Sequence, residues 1–146
     1  MLVRVLFWLV AVSIPGIDAH GAGTDLSVHS AWIREAPLGA PALAGYMVIE
    51  NGGAAPRKLI SAKSAAFRAV ELHRSVIEND MARMARQAAV SIPPAGGQVK
   101  LKPGGYHLMM IKPLRALRAG DKASVVHVFD GNEQLKVRVP VVRAAG

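Results

Sequence analysis

Cysteine is absent from the 146 residues. That excludes disulfide scaffolds, thiolate metal sites, cysteine nucleophiles and copper centres built on a Cys ligand. It also leaves no residue for the acylated N-terminal cysteine of a bacterial lipoprotein. Aromatic residues are scarce at 5%. None forms a stacking series interleaved with Lys or Arg, so no nucleic-acid partner is expected. Acidic residues are the minority, 10 against 18 basic, for a net charge of +8. Such a balance favours an acidic or anionic partner without naming one. No apolar run approaches the ~20 residues of a membrane span. Long 3.6-residue apolar periodicity is missing as well.

What is present begins with an address. Arg4 precedes the apolar run Val5 to Val12, and helix-breaking Pro15 and Gly16 are followed by small Ala19. Positive region, apolar region and small-residue cleavage site are the order of a secretory signal. Residues 1–19 are therefore expected to be removed, leaving residues 20–146 as an exported, periplasmic, single-domain chain. Removal takes Arg4 and Asp18 together, so the charge stays at +8.

The remainder reads as short strands between turns. Strands are expected at Leu26–Arg34, Ala44–Asn51, Arg57–Ser64, Ala69–Ser75, Gln98–Leu101, Tyr106–Lys112, Ser124–Asp130 and Gln134–Val142. Turn signals separate them, among them Asn79-Asp80, Pro93 to Gly97, Pro103-Gly104-Gly105 and Asp130-Gly131-Asn132. Seven or eight such strands in one small domain predict an all-β Greek-key β-sandwich or barrel.

The chemistry lies in His and Met. Strand alternation puts residues i and i+2 on one face. Tyr106, Leu108 and Met110 share one face of their strand, and His107, Met109 and Ile111 share the other. Leu72 and Val70 oppose Glu71 and His73 in the same way. With the Leu-bearing faces turned to the core, His73, His107 and Met109 point outward, at an exposed site. Imidazole nitrogen with thioether sulfur favours Cu(I), whereas Zn²⁺, Mg²⁺ and Ca²⁺ prefer thiolate, imidazole or oxygen donors.

The spacing adds to this. His73 is followed after ten residues by Met84, in HRSVIENDMARM, and PGGYHLM then supplies His107 and Met109. The pattern resembles the periplasmic copper chaperones of the PCu(A)C type. AWIREAPLGAPALAGYMVIEN (31–51) is similar to that family's opening strands, and the resemblance runs over about residues 25–142. Between Met84 and His107 lie 22 residues, one more than the family pattern. The extra residue falls at Pro93-Pro94, where a loop absorbs it at little cost.

The resemblance implies a cupredoxin-like fold and a Cu(I) site of His73, Met84, His107 and Met109. It implies a monomer that is not an enzyme. Its partner would be a copper-accepting protein, either a subunit of cytochrome c oxidase, with its CuA centre, or another copper chaperone. Hydrolase motifs such as G-x-S-x-G and H-E-x-x-H are absent, and thioether-rich coordination resists the redox cycling of an oxidase. A metal-free interaction domain of sandwich type is the competing reading, but it leaves outward Met109 and His73 without a role.

Neighbouring residues carry plainer expectations. Met81 is expected to pack or lie exposed beside the site, although it could substitute as a ligand. Met110 and Met47 are expected in the core, and His127 and His29 as satisfied structural histidines. His20 would chelate Cu(II) through a free α-amine if cleavage follows Ala19. Arg74, Arg83 and Arg86 flank the site in sequence and suit an acidic recipient or anionic surface.

Overall fold

A computed structural model describes residues 25–143. The expected signal segment and His20 lie outside the described residues. Ten strands follow one another: β1 (Leu26–Arg34), β2 (Ala42–Asn51), β3 (Arg57–Lys63), β4 (Phe67–Glu78), β5 (Met81–Arg86), β6 (Val90–Ile92), β7 (Gly97–Leu101), β8 (Tyr106–Pro113), β9 (Lys122–Phe129) and β10 (Gln134–Val142). The only helical element among the described residues is a 3₁₀ turn at Asp130–Asn132.

The strands pair in the order β5-β4-β8-β2-β1-β10-β9-β3-β6, and β7 pairs with the second half of β2. All pairings are antiparallel except β1 with β10, where Ile33 meets Val141 and Arg34 meets Val142. The core lies between β5-β4-β8-β2-β1 and β10-β9-β3-β6. One layer contributes Leu72, Leu108, Met110, Met47 and Ile49, and the other Leu59, Ile92, Val125, Phe129 and Val139, all buried. This is the expected all-β sandwich, with the Leu-bearing faces of β4 and β8 inward.

Two strands were not expected, β5 and β6. MARMAR has no apolar alternation and no β-branched residue, so its pattern carries no strand signal. It becomes a strand because Asn79 and Asp80 both take positive φ, 50° and 60°, between the paired Glu78 and Met81. Two central residues at positive φ make the tight turn that matches strand twist. β6 has only three residues, too few to show alternation. The Ala-rich stretch after Lys63 forms a turn before β4 begins at Phe67.

β1 contains a bulge. Its register against β2 shifts between His29 and Trp32, where Ser30 has φ 52°. Leu26 and Val28 face inward before the bulge, and Ile33 after it. Trp32 consequently faces outward, opposite Tyr46.

Candidate metal site on the outer sheet face

The four candidate donors reach one face through strand register. His73 pairs with His107 across β4 and β8, and Glu71 pairs with Met109. Met84 pairs with Ser75, which shares the face of His73. His107 and Met109 share a face on β8 by alternation. The fold thus brings His73, Met84, His107 and Met109 together on the outer face of three adjacent strands. The histidines hold the middle, with Met109 diagonal to His73 on one side and Met84 on the other. The Pro93-Pro94 turn lies outside this ladder, which runs unbroken from Ala69 to Arg74 against Ile111 to Tyr106.

The expectation of an exposed site needs correction. His107 points away from the core yet is only 3% exposed, while Met84 is 61% exposed. The cause is a row of rings across the sheet. Trp32 lies 4.7 Å from Tyr46, Tyr46 6.5 Å from His107, and His107 5.9 Å from His73, measured between ring centroids. The Arg34 guanidinium sits 5.9 Å from both the Trp32 and Tyr46 ring centres. The result is a small secondary cluster on the outer face, buried at Tyr46 and His107 and open at Met84.

Hydrogen bonding sorts the ring nitrogens. His107 Nδ1 lies 3.1 Å from the Gly105 carbonyl oxygen, and His73 Nε2 lies 2.9 Å from Glu71 Oε2. The remaining nitrogens, His73 Nδ1 and His107 Nε2, are buried and have no partner. Buried polar atoms without a partner cost about 1–3 kcal/mol each, so two at neighbouring rings need a reason. Imidazole nitrogens bind metals at about 2 Å, and two free nitrogens on rings 5.9 Å apart, beside two thioethers, fit a soft monovalent ion. Oxygen-seeking cations have only Glu71 here. Its carboxyl is held below the usual carboxylate range, first by the hydrogen bond from His73 and further by Arg86.

The plainer residues separate clearly. Met81 falls on the opposite face from Met84 by alternation and is 53% exposed, so register removes it from the donor set. Met110 and Met47 are buried in the core. His127 is wholly buried, with Nδ1 3.3 Å from the Leu135 carbonyl oxygen and Nε2 2.9 Å from Met47 Sδ, so its single N–H has an acceptor in either tautomer. His29 differs from its expectation. It is 46% exposed on the outer face, 3.9 Å from Glu50, because its position in β1 precedes the bulge.

The three flanking arginines also divide. Arg86 lies opposite His73 on the site face. Arg74 and Arg83 alternate to the other face, where Arg74 covers the Tyr106 ring at 5.2 Å. Sequence reasoning missed Glu71, Tyr46, Trp32 and Arg34 as neighbours of the site. Glu71-x-His73 on one strand was the available signal for the first. Tyr46 was readable from alternation with core Met47, but Trp32 and Arg34 were not, because the β1 bulge decides their face.

The fold and site define a class: an all-β sandwich carrying a cluster of two histidines and two methionines on its outer sheet face. The LpqE-like family model, a family described as lipoproteins, matches residues 26–141, and the chain belongs to this PCuAC-type family. Lxx21020 of Leifsonia xyli subsp. xyli, which carries a lipoprotein designation, is 32% identical over 132 residues, 90% of this chain and 76% of that protein. The copper-bound PCuAC domain from PmoF2 is 27% identical with a TM-score of 0.69, covering 82% of this chain and 94% of that domain. Apo-DR1885 from Deinococcus radiodurans shares the fold at 21% identity and a TM-score of 0.64, covering 99% of this chain and 96% of that one.

Proposed function

We propose that this chain is an exported copper chaperone that holds Cu(I) through His73, Met84, His107 and Met109 and passes it to a copper-accepting protein. The observation that carries the reading is the pair of buried, partnerless nitrogens on adjacent rings, His73 Nδ1 and His107 Nε2. Likeness to a copper-bound PCuAC domain supports it. All four donors are neutral, so bound Cu(I) keeps one positive charge in a setting where burial favours low net charge.

The arrangement suits delivery. His107 and His73 are fixed by hydrogen bonds. Met84 sits exposed on β5, the edge strand of its layer. A recipient donor can approach from that side, bind the ion while Met84 leaves, and then displace the remaining donors in turn. A site enclosed on every side would hold the ion more firmly and release it slowly. Arg34 and Arg86 border this face and favour an acidic recipient, in the periplasm a cytochrome c oxidase copper centre or a second chaperone. Steering of that kind weakens with salt, so transfer rates should fall as ionic strength rises.

The deciding experiment is a Cu(I) titration of the mature chain against a competing chelator, repeated with His73→Ala and Met109→Ala. One tight site that both changes weaken is expected. Equal binding by all three proteins would overturn the four-donor site.

A further inference from the structure

Glu71 and Arg86 lie among the donors without being donors themselves. Glu71 stands two residues before His73 on β4 and opposite Met109 on β8. Its Oε2 lies 2.9 Å from His73 Nε2, and its Oε1 lies 3.6 Å from Arg86 Nη1. Arg86 in turn is the cross-strand partner of His73. The carboxylate is therefore tied at both oxygens, to the ring on its own strand and to the guanidinium two strands from Met109.

We propose that Glu71, braced by Arg86, is a positioning residue that fixes His73 as an Nδ1 donor, while the Gly105 carbonyl fixes His107 as an Nε2 donor. The proposal rests on the reading of these histidines as copper donors. A carboxylate only accepts hydrogen bonds, so the proton of neutral His73 stays on Nε2 and the lone pair on Nδ1. A carbonyl also only accepts, so the proton of His107 stays on Nδ1 and its lone pair on Nε2. The two rings hold opposite tautomers, and the two nitrogens left free are the two that have no partner.

The supports differ in kind. His107 is fixed by main chain two residues away, within the turn that opens β8. His73 is fixed by a side chain, so its support can be altered without touching a donor. A carboxylate behind a ligating imidazole also raises its donor strength, and loss of such partners costs about 10–100-fold in metal affinity. The Arg86 brace is 73% exposed, so it contributes little by itself.

The test is long-range ¹⁵N–¹H NMR of the apo protein at about pH 8, where free imidazole is neutral, for the wild type, Glu71→Ala, Glu71→Gln and Arg86→Met. Each is then titrated with Cu(I) under anaerobic conditions. Wild-type His73 is expected protonated at Nε2 and His107 at Nδ1, and Cu(I) should move His73 Nδ1 and His107 Nε2. Glu71→Ala should give His73 averaged tautomer shifts and about tenfold weaker Cu(I) binding, with His107 unchanged. Glu71→Gln keeps an accepting oxygen and should rescue the tautomer and most of the affinity. Arg86→Met should stay within about threefold of wild type. Wild-type His73 protonated at Nδ1, or Glu71→Ala with unaltered tautomer and affinity, overturns the proposal. A wild type that binds no Cu(I) overturns the copper reading instead, and the apo tautomers still decide whether Glu71 sets the ring.

Discussion

His127 and His107 are almost equally hidden, at 0% and 3% exposure, and they have opposite meanings. His127 lies between the layers with an acceptor near each ring nitrogen, the Leu135 carbonyl and the Met47 sulfur, and its single N–H donates to one of them. His107 lies outside the layers, under Tyr46, with one nitrogen partnered and one free. Each histidine even has a methionine for company, Met47 for one and Met109 for the other. The contrast teaches that neither burial nor His–Met proximity marks a site. What marks it is a buried ring nitrogen with no contact partner beside a second one, and His73 supplies the second.

The sharpest way to break this contrast is to remove each ring in turn. His107→Ala should weaken Cu(I) binding on the order of a thousandfold, beyond the ~100-fold upper range of outer-shell partners. A chelator-competition titration reads this, and the unfolding midpoint should move little. His127→Ala should do the reverse. It should cost about 3 kcal/mol of stability, the scale of a large-to-small core change, and leave Cu(I) affinity unchanged in the folded protein. Urea unfolding of the apo form measures that loss.

Proton uptake separates the two histidines more gently. Burial lowers the His127 pKa from 6.5 to about 4. Between those values the unfolded chain binds a proton that the folded chain refuses. Stability from this group is therefore full above pH 6.5 and declines as pH falls toward 4, by up to about 3 kcal/mol. Apo unfolding followed from pH 7 to pH 4 should show the decline, and His127→Asn should flatten that part of the curve. Met84→Leu should have a smaller effect, about tenfold in Cu(I) affinity or ~1.4 kcal/mol, because ordering an exposed thioether offsets part of its bond. Met81→Leu, on the opposite face, should stay within about twofold by the same titration.

Much of this was legible in the chain. Period-two alternation with Leu108 and Met110 on one side puts His107 and Met109 on the other, and the structure keeps that arrangement. The Asn79-Asp80 turn was legible too, but its second arm was not, since MARMAR becomes a strand only by pairing with β4. Met84 was found by spacing, and its place beside Ser75 came from the hairpin register. The cover over His107 was not legible. It needs long-range pairing of β1, β2 and β8, which no local pattern encodes. Spacing already ranked Met84 above Met81, but the physical reason was not legible, since only the register puts one on each side of the ribbon.

The Ser30 bulge has a consequence best described as phase. An unbroken β1 would keep counting from Leu26, so Trp32 would fall inward and Ile33 outward. One extra residue advances the count, and everything beyond it changes sides. Ile33 then enters the core, Trp32 stacks on Tyr46, and Tyr46 leans toward His107. Whether Tyr46, the ring beside His107, is backed by a second aromatic is thus settled two strands away, by a single serine that only shifts the parity of a strand.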